Sequence, residues 1–501
     1  MNGKIRSRLK SAGRQFQVQH ENTVPYQASL SGDQLEALSK PEGIKMSGSV
    51  QIQAADFARE TAYLIFMLTI ATIPWRLRIT ILKRPQPPIY GDYTDFLLFI
   101  PDILMLLTLL FWMFSLILRP RRIRLGPAFI SLPLAGITLM GGLSVFSSID
   151  PALSAYHTLR LLFLFGFYLF ILNEIRSLQE LAPPAGLLVF SQGLVGVAQV
   201  LSQHSLNLQS LGEYQLDPSW NGVSIVWANG VRFLRAYGLS DHPNILGGCL
   251  ACALLILGVK YASIKSGSMR SVYAALFGLG ALTLLLTFSR SAWVALIAAS
   301  VLGIGLLYKI GYAQEAKQWF FLSLSSLILL SPFLLYLAPY LGVRLGIGES
   351  FSQVPSEVQS IGERQLLDQS ANRLFAQHPV TGVGLGAFPL ALQQVFPNFP
   401  VDYQPAHLVL LDVAVETGLF GALFYLMLLS APWLALLLRR KQLNFSVSLI
   451  GASALLLAIS LTSLFDYYTW LLVPGRLLAW LAWGLWASIY YAELRSEGTY
   501  A

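Results

Sequence analysis

Apolar runs of bilayer length recur about twelve times along this chain of 501 residues, and no other feature constrains its fold as much. A helix needs about 20 apolar residues to cross a hydrocarbon core. Only helices and closed barrels satisfy every backbone polar group there. The runs lie near residues 60–76, 95–118, 127–146, 153–172, 181–203, 244–260, 272–288, 291–308, 319–341, 406–438, 446–465 and 469–491. Charged residues make up 12% of the chain, against about 25% in ordinary soluble domains. The expected fold class is an all-α polytopic membrane protein with about twelve transmembrane helices.

The net charge of +8 does not indicate a nucleic-acid partner, because the basic residues follow the membrane. Most fall in the N-terminal region, in the C-terminal tail and in alternate loops: Arg119–Arg124, Arg176, Lys260–Arg270, Lys309–Lys317 and Arg439–Lys441. This positive-inside pattern predicts that both termini and these loops face the cytoplasm. The basic loop Arg76–Arg84 is the one dissent. Two long loops, at about 204–243 and 341–406, are then expected on the outer face. Residues 1–57 read as a flexible basic cytoplasmic extension with no signal-peptide core, drawn to anionic lipid through Lys4, Arg6, Arg8, Lys10 and Arg14. Residues 58–491 form the transmembrane domain and 492–501 a cytoplasmic tail. Cys249 and Cys252 share one span and read as packed side chains, not as a disulfide or a metal pair.

No repeat of 20–50 residues and no inverted symmetry is visible, which disfavours a repeat-built transporter. In the first outer loop, SWNGVSIVWANGVRFLRAYGLSDHPNILGG, two Asn-Gly pairs predict turns with short strands or irregular structure. In the second, Leu366, Leu367, Leu374 and Phe375 predict a helix that carries Arg364 and Arg373, followed by a Pro/Gly-rich strap. Arg160 lies about two turns into the fourth span. It either snorkels outward or faces a polar cavity.

Four features share the predicted outer face: Arg235 in LRAYGLSDHPN, Arg290 in the tight turn TFSRSAW, Arg373 with His378 in RLFAQHP, and His407 at the head of the tenth span. A guanidinium stays charged and matches phosphate oxygens bidentately, so outer-face arginines suit a lipid-linked phosphate or diphosphate. Open amides at Ser291–Trp293 would add to anion binding. Each residue also has a plainer reading. Arg235 could pair with Asp241, Arg290 could mark the interface, Arg373 could be solvated, and His407 could bond the backbone. Taken together, they allow His407 to act as general base while the arginines stabilise a leaving diphosphate. Asp412 and Glu416 follow on one face of the same helix, placed to orient His407 or an acceptor, or to pair with an arginine. There is no DxD or HxxxH pattern, and no metal or cofactor is expected.

The stretches LRAYGLSDHPNILGG, TFSRSAW, RLFAQHPVTGVGLGAF and AHLVLLDVAVETGLFG, in this order, resemble the O-antigen ligase and O-antigen polymerase superfamily of bacterial envelope glycosyltransferases. The resemblance covers about residues 230–425 in motif. It implies a lipid-donor, GT-C-like membrane glycosyltransferase in the bacterial cytoplasmic membrane, acting at the periplasmic face. Such an enzyme moves a glycan from an undecaprenyl diphosphate carrier to a glycan, lipid or protein acceptor. By this resemblance Arg235 and Arg290 are diphosphate ligands and His407 is the base. Arg373, Arg160 and Glu416 complete the expected substrate-binding set. Where the family pattern has His-Asn, this chain has His407-Leu408. The long second outer loop favours a ligase that transfers a finished chain. The alternatives are a repeat-unit polymerase of the same superfamily and a polysaccharide or lipid exporter.

Overall fold

A computed structural model describes residues 48–347 and 355–494 of the chain. Residues Met1–Gln51 form one unit, of which only the opening of a helix is described, and Ile52–Ala501 form a second that contains every site residue. Helix α1 spans Gly48–Thr72, and a hairpin of β1 (Arg78–Leu82) and β2 (Phe96–Phe99) follows it. Then come α2 (Ile100–Leu118), α3 (Ala128–Ser144), α4 (Pro151–Glu174) and α5 (Ala182–Ser202). A second antiparallel hairpin, β3 (Ile225–Ala228) and β4 (Val231–Leu234), turns at Asn229-Gly230. Both turn residues have positive φ, 52° and 77°, as a tight two-residue hairpin requires. The Asn-Gly pair thus forms the turn its sequence predicts.

The chain continues through α6 (Pro243–Ser263), α7 (Ser268–Leu286), α8 (Arg290–Ile310) and α9 (Ala313–Tyr336). The short α10 (Ala338–Leu345), α11 (Pro355–Gln377) and α12 (Phe388–Val395) lie in the second long loop. The chain then completes α13 (Val409–Leu438), α14 (Val447–Ser463), α15 (Tyr468–Leu471) and α16 (Val473–Glu493). Among the described residues, nine helices are long and apolar enough to cross a membrane. The three remaining expected spans, near 60–76, 446–465 and 469–491, are also helical, in α1, the 17-residue α14 and α15–α16.

The core is centred on α6, α14 and α16, whose side chains are buried almost all round. Trp480, Trp483 and Trp486 of α16 are fully buried; Trp486 Nε1 donates to Ser453 Oγ of α14 at 3.1 Å, and Trp483 meets Tyr425 of α13 edge-on. Cys249 and Cys252 of α6 are buried and unlinked. The outward faces of α8 and α9 expose Val294, Ile297, Leu327, Ile328 and Leu329, a pattern that suits contact with lipid tails, not water. The dissenting basic loop is largely neutralised by ion pairs. Arg76 pairs with Asp241, Arg78 with Asp92 at 2.6 Å, and Arg84 with Asp150 at 2.6 Å.

Helix α13 is two helices joined at Gly418, where φ is 75° and ψ −174°. This is a region only glycine occupies readily. The break opens backbone groups to the Pro/Gly strap after α11. Leu419 N–H donates to the Pro379 carbonyl at 2.8 Å, and Val383 N–H donates to the Val415 carbonyl at 2.8 Å. A Cβ on Gly418 would stand 2.0 Å from the Val380 oxygen, and one on Gly382 would stand 2.4 Å from the Glu416 carbonyl carbon. The strap and the broken helix therefore fit each other only as glycine against backbone.

Candidate functional site

Arg235 directly follows strand β4 and is buried. Its guanidinium donates to the Thr287 carbonyl at 2.6 Å, to Ser224 Oγ at 2.7 Å and to Asn244 Oδ1 at 2.6 Å. Asn244 in turn donates to Asp466 Oδ2 at 2.8 Å. Asp241 does not serve Arg235, because Arg76 and Arg78 hold it. Asn244 belongs to the first turn of α6, which begins with Pro243 and is capped by His242. His242 Nδ1 accepts from the Asn244 amide at 3.1 Å.

Arg290 opens α8 directly after the tight turn, in which Phe288 takes a positive φ of 49°. Its Nη1 donates to the Arg344 carbonyl at 3.1 Å. Arg344 reaches back to the Phe288 carbonyl through Nε at 3.2 Å and Nη2 at 3.1 Å. The two arginines thus lock the turn to α10. Of the amides expected to be open there, that of Trp293 bonds the Ser289 carbonyl.

His407 lies two residues before α13, not within it. Its ring meets Tyr467 edge-on with centroids 5.2 Å apart, and its Nδ1 is enclosed without a hydrogen-bond partner. Its backbone N–H faces the Asp368 carboxylate of α11. Burial, then the charge of Arg364, lower the imidazole to about 3, so the ring is neutral at ordinary pH. Arg364 is half-buried, and its Nε has no hydrogen-bond partner. His242 is also lowered, first by burial and then by Arg235, Arg344, His407 and Arg364. Asp466 is raised to about 6 by burial, against the pull of Arg364.

The fold therefore gathers Arg235, Arg344, Arg364, His242, Asp466 and His407 within one electrostatic neighbourhood. Arg290 joins it through Arg344. The segments come from both long loops, the tight turn and the loop before α15. Arg344 and Asp466 carry no sequence signal as site residues, since their hydrogen-bond partners Phe288 and Asn244 lie more than 50 positions away, and His242 reads from the sequence only as the residue before Pro243.

Other expected residues stand elsewhere. Arg160 neither snorkels nor reaches this cluster. It forms an ion pair with Asp102 of α2 and donates to the Leu97 carbonyl at 3.2 Å. Next to it His157 Nδ1 lies 3.1 Å from Arg476 Nη1 of α16. Glu416 is fully buried and accepts from Trp470 Nε1 at 2.8 Å, so it turns towards this second polar group and not towards His407. Asp412 is buried one turn before it. Arg373 is exposed on α11 and makes no ion pair among the described residues. His378 is exposed, and its carbonyl accepts from the Gly382 amide at 3.1 Å as the strap begins. No group of three or more His, Cys, Asp or Glu suited to a metal ion occurs among the described residues.

Residues 275–426 match a family model described as O-antigen ligase. That segment holds the tight turn with Arg290, the loop helix α11, the strap, His407 and the break in α13. No curated protein matches the chain. The domain at residues 275–426 of this many-helix protein is thus similar to O-antigen ligase and supports a relation to the O-antigen ligase and polymerase superfamily.

Proposed function

We propose that this protein transfers an oligo- or polysaccharide from a polyprenyl diphosphate carrier, such as undecaprenyl diphosphate, to an acceptor hydroxyl at the outer face of the bacterial cytoplasmic membrane. In this reading the chain crosses the membrane twelve times with both termini in the cytoplasm. The family match supports glycan transfer in envelope biosynthesis. The observation that carries the finer reading is a neutral His407 beside Arg364, next to a His242 that Arg235, Arg344 and Arg364 all influence.

The donor diphosphate takes the place among the arginines, where Arg364 has a buried Nε to spend on it. The carrier's negative charge offsets Arg364 and raises the His407 pKa from its depressed value towards a useful base. His407 accepts the acceptor hydroxyl's proton as that oxygen attacks the anomeric carbon. The bond from that carbon to the diphosphate breaks, and its electron pair leaves with the diphosphate. Arg290 and Arg235 hold the loops around this site and complete its positive field. The arginines thus supply the charge stabilisation that a divalent ion gives in other transferases. Arg373, exposed on α11, is available to a donor glycan.

The test supplies the purified protein with a polyprenyl diphosphate-linked glycan and acceptor in EDTA. A new glycosidic bond with release of polyprenyl diphosphate is expected. Movement of intact carrier-linked glycan across a vesicle membrane, with no new bond, would favour an exporter. In a deletion strain, unattached long chains would mark a missing ligase and single repeats a missing polymerase.

A further inference from the structure

At the far end of α4 from His157, roughly 25 Å along the helix axis, a cavity of about 560 Å³ opens between α1, α2, the segment 119–124 and the ends of α4 and α16. Six arginines line it against two carboxylates. Glu174, with only 5% of its side chain exposed, anchors the wall. It pairs with Arg59 and Arg121, each at 2.7 Å, and accepts from Trp112 Nε1 at 2.7 Å. Arg119 meets Asp56 at 3.6 Å. Arg122, Arg124 and Arg176 remain exposed with no ion pair among the described residues, and Arg124 rests over the Tyr491 ring.

Two independent features meet here. The unneutralised arginines call for a multivalent anion, since guanidinium forks match phosphate oxygens. Close along the chain to lining residues Asp56, Arg119 and Arg124, the apolar Phe57, Ile117 and Leu125 expose 69%, 70% and 60% of their surface. A free phosphate would use the first feature and leave the second unexplained. A basic pocket between helix ends with apolar flanks is the form that binds anionic lipid heads.

We propose that this cavity is a binding site for the phosphate headgroup of an anionic phospholipid, with its acyl chains along Phe57, Ile117 and Leu125. Arg122, Arg124 and Arg176 hold the phosphate, while Glu174 keeps Arg59 and Arg121 in place around it. The site is independent of glycan transfer and lies at the opposite end of α4 from the His157 group.

The full chain, purified in detergent, is titrated with phosphatidylglycerol, phosphatidylcholine or inorganic phosphate, and bound lipid is counted by native mass spectrometry. Saturable retention of phosphatidylglycerol is expected, with phosphatidylcholine much weaker and no displacement by phosphate. The combined Arg122→Ala, Arg124→Ala, Arg176→Ala variant should bind about two orders of magnitude more weakly, at roughly fivefold per basic residue. A control variant with Lys309→Ala, Arg440→Ala and Lys441→Ala removes exposed basic residues outside the cavity and should bind as wild type does. Melting curves confirm that both variants fold, and an Arg→Lys triple variant replaces any that does not, with partial loss expected. Equal loss in the control, equal binding of phosphatidylcholine, or displacement by phosphate would each overturn the proposal.

Discussion

His407 and Tyr467 meet edge to face at 5.2 Å, and the residue before that tyrosine, Asp466, is bonded through Asn244 to the group that holds Arg235. The loop before α15 therefore couples the proposed base to the proposed diphosphate site. Replacing Tyr467 with alanine should free the imidazole and lower turnover about tenfold with little change in donor affinity. Replacing Asn244 with leucine should instead raise the donor KM, because Arg235 loses its link to Asp466. Steady-state kinetics separate the two effects.

Arg364 faces His407 with an unused buried Nε. Arg364→Ala should cost about 10- to 100-fold in kcat/KM for the donor, the range for a lost charge-assisted hydrogen bond. The same change should raise the His407 pKa of the free protein, since a like charge has been removed. Modification of the imidazole by diethyl pyrocarbonate across pH reads that shift.

The free protein keeps His407 neutral down to about pH 3, whereas an unfolded chain protonates it near 6.5. Between those values the unfolded state binds more protons, so this residue's contribution to stability falls as pH falls below about 6.5. Asp466 and Asp241, both raised to about 6, act in the opposite direction between their ordinary value and 6. The total melting curve therefore mixes signs. The difference between wild type and His407→Gln isolates the histidine, and it should move against wild type on acidification from pH 7 to pH 4.

Gly418→Ala should lower stability by at least about 1–3 kcal/mol, the cost of a side chain in that backbone region, with the contact to Val380 added. The strap would shift with it. Melting temperature and donor turnover should fall together, because the strap and His407 border the same half of α13.

Asp102→Ala should destabilise the fold by about 3–5 kcal/mol by leaving Arg160 buried without its partner. The double variant Asp102→Leu, Arg160→Met should recover much of that loss. If it also keeps the wild-type donor KM, Arg160 is a structural residue, and if the KM rises, it reaches substrate.

The membrane class, the Asn-Gly hairpin and the loop helix with Leu367 and Leu374 inward were legible in the sequence. Each depends on local pattern or on motif order. Partners distant along the chain were not. Nothing near Arg160 announces Asp102, 58 positions away, and nothing near Arg290 announces Arg344. The basic loop Arg76–Arg84 contradicted the charge rule until Asp92, Asp150 and Asp241 were seen to neutralise it. The G-x-G-x-G segment reads from the sequence only as a Pro/Gly-rich strap. Its glycines prove to be needed for close contact with a helix break that only the fold creates.

The central claim is that His407 removes the acceptor proton. Single-turnover glycan transfer by His407→Ala, with donor and acceptor saturating and EDTA present, measures it most directly. A rate at least about 100-fold below wild type, with donor still bound and melting unchanged, is the predicted result. Transfer at the wild-type rate would contradict it.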